Sequence, residues 1–341
     1  MRVAIVGAGR RGIVHGRAAA TFPDCDVVAI IDPDVARAGA LADELGGRAF
    51  TSHLEAFAET QPDAVVLCSP PPLHVDQALD AIGFGATLLI EKPVALDLAS
   101  VARLGTAARD ADRLVLVCQQ LRYSAGALRA KQALEGRRVA LVHSWLYRQK
   151  PDIKGNWQRS WGGGHIVENQ IHPIDLTRYV LGNRGEPTSI YARYGDRFYD
   201  VDADWDNWDS YSVSLEFRDG AVGSVATTYG SFPGLAQASG HDIVADGLVV
   251  RFRGNRCELH SPDGSIEVVE ATEEPTISMN HAFLLATRTG DTAHLRQDYE
   301  DANRSLAICL AANDSAMTGQ PIALGWRDAD EAHVPAVTTP K

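Results

Sequence analysis

The stretch RVAIVGAGRRGIVHGRAAATFPDCDVVAIIDPD, residues 2–34, decides the fold of this chain. An apolar run, Val3–Val6, leads into the glycine motif Gly7 to Gly12, an Ala-rich segment and a second apolar run that ends at Asp32. A glycine turn between a strand and a helix, with an acid after the next strand, is typical of a dinucleotide-binding βαβ unit. In such a unit the glycines let the backbone approach a pyrophosphate, and the acid accepts hydrogen bonds from the adenosine ribose.

The charges around Asp32 narrow the choice of dinucleotide. A carboxylate at this position repels the 2′-phosphate of NADP, so the sequence favours NAD. Arg10, Arg11 and Arg37 lie close enough in sequence to weaken that preference, and NADP stays open. A GxGxxG motif alone is often only a turn. Its place after a strand, with Asp32 following 20 residues beyond Gly12, is what supports a cofactor site.

The rest of the first 120 residues alternates short apolar runs with Ala- and Leu-rich segments. Continuous apolar strands separated by helices are typical of a parallel sheet covered on both faces. We therefore predict a dinucleotide-binding Rossmann domain, a doubly wound parallel α/β sheet, over residues 1–120. The predicted strands are Val3–Val6, Val27–Ile31, Ala64–Cys68, Thr87–Ile90 and Leu114–Val117, and the predicted helices are His15–Ala20, Val35–Leu45, Val75–Ile82 and Leu98–Ala111.

Residues 121–341 have a different pattern, in which helices flank a series of alternating strands joined by Asp-Gly turns. This pattern predicts a C-terminal α+β domain with a mostly antiparallel open sheet. The predicted helices are Ala125–Glu135, Val167–Leu181, Ile277–Arg288 and Tyr299–Thr318, and the predicted strands include Val139–Tyr147, Ser189–Tyr194, Tyr211–Phe217, Val222–Tyr229, Ile243–Ala245, Leu248–Arg253 and Ile266–Val269.

The composition excludes several classes of partner. The 341 residues include 32 Lys and Arg against 44 Asp and Glu, and the formal charge of −12 disfavours nucleic acid and anionic membranes. The longest apolar run, Leu306–Ala312, is far shorter than the roughly 20 residues of a membrane span. With no signal-peptide pattern, we expect a cytoplasmic protein that binds small molecules. The five cysteines form no CxxC pair and are expected to be buried, reduced thiols.

Three further motifs follow in order along the chain. Ser69-Pro70 and Leu73-His74 follow the third predicted strand, Glu91-Lys92-Pro93 follows the fourth, and GGGHIVENQIHPIDLTRYVLG spans residues 162–182. Together with the glycine motif, they resemble the glucose-fructose oxidoreductase and inositol dehydrogenase family, Gfo/Idh/MocA, over nearly the whole chain. The resemblance implies a pyridine-nucleotide oxidoreductase acting on a sugar, inositol or related polyol. It also implies that the open sheet forms part of an oligomer contact.

The resemblance implies three catalytic residues, which are Lys92, Glu168 and His172. Many members of the family carry Asp where this chain has Glu168, whose side chain is one methylene longer. A His can take a hydroxyl proton near neutral pH, and a carboxylate four residues earlier lies on the same helical face and can fix its tautomer. The alternatives are that Glu168 and His172 form a solvated surface pair and that Lys92 is an ordinary surface cation.

Further site residues follow from the motifs and from the resemblance. No metal is expected, because the series Asp202, Asp204 and Asp206 lacks the Gly and Glu of a calcium loop. The residues predicted to bind the cofactor are Gly7, Gly9, Arg10, Arg11, Gly12, Asp32, Ser69, Pro70, His74, Glu91 and Lys92. The residues predicted to contact substrate are Arg122, Trp157, His165, Asn169 and Asp175. For Trp157, packing in the core is an equally good hypothesis. A single loop His, such as His165 or His74, more often has a structural role.

Three functions stay open at this point. The first is an NAD(P)-dependent dehydrogenase of a sugar, inositol or related polyol. The second is a glycoside-processing enzyme whose retained NAD gives no net redox, and the third is a cofactor-binding regulatory protein without turnover. We also expect a homodimer or homotetramer, because an exposed face carrying the apolar residues of Tyr211–Phe217 would need cover.

Overall fold

The computed structural model describes residues 1–199, 201–236, 238–271, 273–326 and 337–338. The chain forms two compact units. The first contains Met1–Tyr123 and Glu273–Asn303, and the second contains Ser124–Thr272 and the chain from Arg304 onward. The division that we predicted after residue 120 lies close to Tyr123, where the chain first passes from one unit to the other. It does not anticipate that Glu273–Asn303, which we had placed in the second domain, belongs to the first unit.

The first unit contains a six-stranded parallel sheet, as predicted. The strand order β3-β2-β1-β4-β5-β6 is that of a doubly wound dinucleotide-binding fold, in which ligands bind at the carboxyl ends of the strands where the order reverses. Here the reversal lies between β1 and β4, which pair in parallel. The strands are β1 (Arg2–Val6), β2 (Asp26–Ile31), β3 (Arg48–Phe50), β4 (Ala64–Leu67), β5 (Thr87–Ile90) and β6 (Val115–Val117).

Polar caps define where most helices of this unit begin. Asp34, Ser52 and Asp97 each accept a backbone N–H bond in the first turn of the helix that follows them. The helices are α1 (Arg10–Ala20), α2 (Val35–Leu45), α3 (His53–Thr60), α4 (Pro71–Gly83), α5 (Leu98–Asp110) and, from the returning segment, α9 (Pro275–Thr289). The helix α3 was not predicted. Neither was the strand β3, because three residues with one buried side chain carry no readable apolar pattern.

The second unit contains a ten-stranded sheet of order β14-β13-β12-β11-β7-β10-β9-β8-β15-β16. Its neighbouring strands are antiparallel except for the parallel pair β7 and β10, so the prediction of a mostly antiparallel sheet is confirmed. The strands are β7 (Val139–Tyr147), β8 (Pro187–Gly195), β9 (Ser210–Phe217), β10 (Val222–Thr228), β11 (Ser239–Ala245), β12 (Leu248–Arg253), β13 (Arg256–His260), β14 (Ile266–Glu270), β15 (Ile322–Leu324) and β16 (Val337–Thr338).

The remaining helices are α6 (Ala125–Leu134), α7 (Arg159–Gly162), α8 (Ile171–Leu181) and α10 (Tyr299–Thr318). A π-helical turn, Ile166–Gln170, leads directly into α8. Turns of this kind are rare and are frequently found at functional sites. Within the part of the chain that the structure describes, no helix is both long and apolar enough to cross a membrane.

The structure of strand β9 differs from our expectation that its apolar side chains lie on the exposed face of the sheet. Its apolar side chains, Tyr211 to Phe217 in alternation, are at most 6% exposed and face the core. The side chains between them are Ser212, Ser214 and Glu216, which are exposed. The prediction that the apolar side of this strand faces outward is therefore wrong, because the helices already cover that side.

The same sheet contains a buried histidine. His241 of β11 is 4% exposed, and its ring nitrogens lie 2.7 Å from Ser144 Oγ and 3.3 Å from Thr177 Oγ1. Burial lowers the pKa of His241 from 6.5 to about 4, although the charge of Asp242 opposes the change. The imidazole is therefore neutral in the folded protein at neutral pH.

This neutral imidazole predicts a loss of stability in weak acid. Between pH 6.5 and about 4 the unfolded chain protonates His241 and the folded chain does not, so unfolding becomes easier as the pH falls. The contribution to the free energy of unfolding should fall by about 3 kcal/mol over this range. Urea unfolding at several pH values should show a shallower pH dependence for His241→Gln than for the wild type. Parallel curves would contradict the assignment.

Candidate cofactor and catalytic site

The glycine loop brings three backbones together at the end of β1. Gly7 has a φ of +97°, and a Cβ built on it would lie 2.7 Å from the carbonyl of Cys68. A Cβ on Gly12 would lie 1.7 Å from the carbonyl oxygen of Gly7, so neither position accepts a side chain. Gly9 differs, because no heavy atom lies within 4 Å of its Cβ position. The loop is closed on the protein side and open at Gly9.

The open side of this loop suits a phosphate group. Gly9 is the N-cap of α1, no side chain caps this helix, and its first turn contains no acidic residue. The first amides and the positive end of the helix dipole are therefore available to an anion. Arg10, in this first turn, is exposed. These features fit the pyrophosphate of a dinucleotide.

Asp32, at the end of β2, is held tightly beside this loop. Its side chain is 6% exposed, and Oδ2 accepts a 2.8 Å bond from the N–H of Ala8. Oδ1 accepts bonds from the N–H of Asp34 and from Arg37, both at 2.9 Å. The carboxylate therefore fixes the shape of the glycine loop in addition to any contact with a ribose. Arg37, which we expected to weaken the preference for NAD, is paired with this carboxylate.

The second predicted cofactor loop follows β4. Ser69 Oγ donates to Gln77, and Pro70 is the N-cap of α4. His74 is 1% exposed, and its ring nitrogens lie 2.7 Å from the carbonyl oxygen of Ser69 and 2.9 Å from that of Pro93. Burial lowers the pKa of His74, although these two bonds oppose the change. His74 therefore connects the Ser69 loop to the Glu91-Lys92-Pro93 segment, and its contact with the cofactor stays a prediction.

Glu91, just beyond β5, is the centre of a buried polar cluster. Its Oε1 accepts bonds from Arg11 Nε and His15 Nε2, and Oε2 accepts the N–H of Lys92. Burial alone would raise the pKa of Glu91. The hydrogen bond from His15 and the charges of His15, Arg11 and Lys92 instead hold that pKa well below its usual value. Glu91 is 7% exposed, and its side chain is bonded to protein groups; its contact with the cofactor stays a prediction.

This cluster also has the atoms of a possible metal site. One ligand atom each from His15, Glu91 and Cys118 lies within 4.8 Å of the other two. The guanidinium of Arg11 already binds the same Glu91 oxygen and would repel a divalent cation. Burial raises the pKa of Cys118 well above its usual value, which keeps the thiol protonated. The cluster is therefore a hydrogen-bonded unit centred on an ion pair.

In the second unit, few residues of the Gly162–Leu181 segment reach the surface. Glu168, Asn169, His172 and Pro173 are partly exposed, and every other residue of this segment is buried. The first three include both predicted catalytic residues of the segment. The accessible edge of the segment is therefore the part that can meet a substrate.

The carboxylate of Glu168 is anchored by residues from two other elements. Asn156 Nδ2 donates to Oε1 at 2.7 Å, and the Tyr229 hydroxyl donates to Oε2 at 2.5 Å. Glu168 lies within the π-helical turn and His172 follows in α8, so the pair spans two kinds of helix. That Glu168 orients His172 stays a prediction. The two anchors explain how a longer arm than Asp can be held in one place.

Three residues that were predicted to contact substrate are buried and have partners within the protein. Arg122 is 2% exposed and pairs with Asp301. His165 is fully buried, with its ring stacked 3.9 Å from that of Tyr229. Asp175 is 1% exposed and accepts a 2.8 Å bond from Ser305 Oγ. Buried side chains with protein partners stabilise the fold. A contact of these three residues with substrate stays a prediction.

The other two predicted substrate residues remain accessible. Asn169 accepts a 2.6 Å bond from Arg148, whose side chain is exposed. Trp157 is partly buried, and Lys150 Nζ lies 3.7 Å from the centre of its ring. Lys150 also pairs with Asp202, so the ring is covered by a cation of the same unit.

Sequence reasoning missed several residues of the site. They are His15, Asn280, Asn156 and Tyr229, each of which holds a predicted site residue or its partner. His15 follows Arg11 by one helical turn, which is a readable signal that two polar groups share a face. The other three lie at least 12 residues from the group they bind, and no local pattern identifies them.

Comparison with known families supports this organisation. The description "oxidoreductase family, NAD-binding Rossmann fold" matches residues 1–119, and the GFO/IDH/MocA C-terminal domain matches residues 130–267. The chain belongs to the Gfo/Idh/MocA family. The predictions of the family and of an NAD-binding Rossmann domain are confirmed. As a Gfo/Idh/MocA protein, it carries the glycine loop and Asp32 described above in the matched NAD-binding domain.

Individual Gfo/Idh/MocA relatives align over most of the chain. Scyllo-inositol 2-dehydrogenase (NAD(+)) of Bacillus subtilis (strain 168) is 25% identical over 95% of this chain and 96% of its own length. Inositol 2-dehydrogenase of Rhizobium meliloti (strain 1021) is 28% identical over 67% of this chain and 70% of its own. The WlbA dehydrogenase of Bordetella pertussis, crystallised with NADH and UDP-GlcNAcA, is 25% identical, with a TM-score of 0.81 over 96% of this chain and 99% of its own.

The contacts of Asp32 predict how the cofactor preference changes on mutation. Asp32→Ala should weaken NAD binding by roughly 10- to 100-fold, because a charged hydrogen-bonding group is lost, and should weaken NADP less. Asp34→Ala is the matched control, since Asp34 also pairs with Arg37 but is half-exposed. Titration of both cofactors against each variant measures the preference. An unchanged NAD-to-NADP ratio in Asp32→Ala would remove this residue from the role.

Proposed function

We propose that the protein is an NAD-dependent dehydrogenase that oxidises a secondary alcohol of inositol, a sugar or a related polyol. One observation carries this proposal. The open glycine loop lies at the carboxyl end of the same parallel sheet that presents Lys92, and Lys92 stands at the family's catalytic Lys position. Membership of an NAD-binding oxidoreductase family and the names of the aligned relatives support the same substrate class.

NAD⁺, when bound, supplies the acceptor for the hydride of the carbinol carbon. His172 is the residue that takes the hydroxyl proton in this proposal, because a free imidazole with a pKa of ~6.5 is neutral at pH 7 and can act as a base. His172 lies on the accessible edge of the Gly162–Leu181 segment, which gives it access to a ligand.

Lys92 stabilises the negative charge that forms on the substrate oxygen. A free Lys has a pKa of ~10.4 and is charged at neutral pH, so it serves as a cation more readily than as a base. The buried, ionised Glu91 next to it favours the charged form of the Lys92 amine. Glu168, held by Asn156 and Tyr229, orients His172 in this proposal.

A screen for NAD reduction tests the reaction. Myo-inositol, scyllo-inositol, aldoses and aryl glycosides are incubated with the enzyme and NAD⁺, and the absorbance of NADH is followed. Net reduction with a polyol or sugar supports the proposal. Product from a glycoside without net reduction supports an enzyme that retains its NAD. Binding of NAD with no turnover of any compound supports a regulatory protein.

The catalytic roles predict a graded loss of activity. His172→Ala should lower kcat by roughly 10²- to 10⁴-fold with nearly unchanged NAD affinity, because a general base is lost. Lys92→Ala should cost a comparable factor through lost charge stabilisation, and Glu168→Gln should cost less than either.

Stopped-flow measurement of hydride transfer across pH separates these roles. Lys131→Ala is the control for the loss of a lysine, since Lys131 packs on the Tyr179 ring and not in the cofactor loops. If His172→Ala retains the full rate and the same pH profile, His172 is not the base, and Lys92 takes that role.

We also propose that the chain forms a dimer or a tetramer in which the open face of the ten-stranded sheet contacts another copy of the chain. Trp145 of β7 lies on this face, stacked on His143 at 5.2 Å, and Arg253 lies 4.6 Å from the Trp145 ring centre. Leu141 of the same strand is 38% exposed. Trp and Arg are enriched in protein interfaces, which supports this choice of face. We also propose a cytoplasmic location; none of the five cysteines forms a disulfide in the structure, and disulfides are rare in cytosolic proteins.

Light scattering tests the oligomer. The wild type should have the mass of a dimer or tetramer at micromolar concentration, and Trp145→Glu should shift it toward the monomer by placing a charge in the contact. Val201→Glu is the control, because Val201 is 86% exposed and lies outside the sheet. A monomeric wild type would contradict the proposal.

A further inference from the structure

A buried chain of hydrogen bonds links α9, α1 and the segment that contains Lys92. Asn280 Nδ2 donates to the carbonyl oxygen of Thr276 at 2.7 Å and lies 2.9 Å from His15 Nδ1. Asn280 Oδ1 lies 3.2 Å from the same nitrogen, so both polar atoms of the Asn280 side chain lie within hydrogen-bond distance of His15 Nδ1. His15 Nε2 lies 3.0 Å from Glu91 Oε1 and donates to it, because an ionised carboxylate can only accept.

The last bond of the chain reaches the backbone of Lys92. Glu91 Oε2 accepts the N–H of Lys92 at 3.1 Å, while Oε1 is held by His15 and Arg11. His15 and Asn280 are fully buried, so solvent does not compete for these bonds. Both oxygens of the carboxylate are therefore occupied on the protein side, and the carboxylate is fixed next to Lys92.

We propose that the Asn280–His15–Glu91 chain positions Lys92 and keeps its side chain cationic. This inference rests on the proposed function, in which Lys92 stabilises the charge on the substrate oxygen. Glu91, His15 and Asn280 are positioning residues, since they act through Lys92. A role limited to stabilising the fold is the alternative that the experiment must exclude.

The charged and titratable groups around Glu91 support its effect on Lys92. From α1 it faces Arg11 and His15, and from the strand ends on either side it faces Cys68 and Cys118. The charge of Glu91 also acts on His74 of α4, where it raises the pKa of the imidazole against the effect of burial. Burial raises the pKa of both thiols well above the usual value, so neither is ionised at neutral pH. Glu91 is thus the anion of this cluster, and its charge favours the protonated form of the Lys92 amine.

The consequence is a dependence of Lys92 ionisation on residues that touch no ligand. Glu91→Gln removes the negative charge and leaves Arg11 positive beside Lys92, so the amine should lose its proton more easily. His15→Leu keeps the charge but frees one side of the carboxylate. His15→Gln restores a donor near the place of Nε2, so it should behave like the wild type.

Lysine labelled with ¹³C gives a direct measurement in the whole protein, with and without saturating NAD⁺. The chain has five lysines, Lys92, Lys131, Lys150, Lys154 and Lys341, and Lys92→Arg identifies the Cε signal of Lys92. The pH titration of this signal should shift down by about 1 pH unit in Glu91→Gln. It should shift in the same direction, by less, in His15→Leu and should return toward the wild-type value in His15→Gln. The pH profile of kcat/KM should move with it.

His281→Leu is the matched control for a histidine lost from the contact of α1 and α9. His281 Nε2 contacts Thr21 and the Ala18 carbonyl, away from Glu91. If His15→Leu and His281→Leu leave the Lys92 titration equally unchanged, the chain is only structural and the proposal is overturned. If Glu91→Gln does not fold, His15→Leu and Asn280→Leu decide, with a downward shift expected in both.

The Lys92 titration does not depend on turnover. Should the polyol screen give no activity, the proposed function fails, while the titration still supports or overturns the coupling of Glu91 to Lys92. Should the enzyme be active with an unshifted Lys92 signal in folded Glu91→Gln, the positioning proposal fails and the proposed function stands.

Discussion

The close approach of the α1 backbone to the end of β1 is the constraint on which the first unit depends. Gly12 can lie against the carbonyl of Gly7 only because it lacks a Cβ, and this contact sets where α1 begins. The same helix then carries Arg11 and His15 to the buried carboxylate of Glu91. One packing contact therefore fixes both the open glycine loop and the helix that holds Glu91 next to Lys92.

The second unit divides its polar residues by burial. Asp175, His165 and Arg178 are buried and satisfied by protein partners, as in the paired bonds of Arg178 with Glu186 at 2.7 and 2.9 Å. Glu168 and His172 stay accessible on the same segment. A group that must exchange a proton with a ligand needs access, and a group that only supports the backbone does not. The segment thus carries both accessible and buried polar residues within a few turns of helix.

Local patterns in the sequence predicted the parallel sheet, the glycine loop and strands such as Thr87–Ile90 and Leu248–Arg253, whose bounds the structure repeats. They did not predict which polar residues are buried, because the partners are distant in sequence. His15 and Asn280 are 265 residues apart, and Arg122 and Asp301 are 179 apart. Alternation in β9 identified two faces correctly but could not say which one the helices cover. The residues of contiguous motifs could therefore be predicted from the sequence. The partners that come from distant parts of the chain could not.

Transfer of deuterium tests the central claim, that this protein moves a hydride from a carbinol carbon to NAD⁺. Each compound of the screen that reduces NAD⁺, with myo-inositol tested first, would be prepared with deuterium on the carbon that is oxidised. The reduced nicotinamide would then be analysed by mass spectrometry. The account predicts NADH one mass unit heavier, with the label retained in the cofactor. Reduced cofactor without deuterium, or consumption of the compound with the label lost to water, would contradict it.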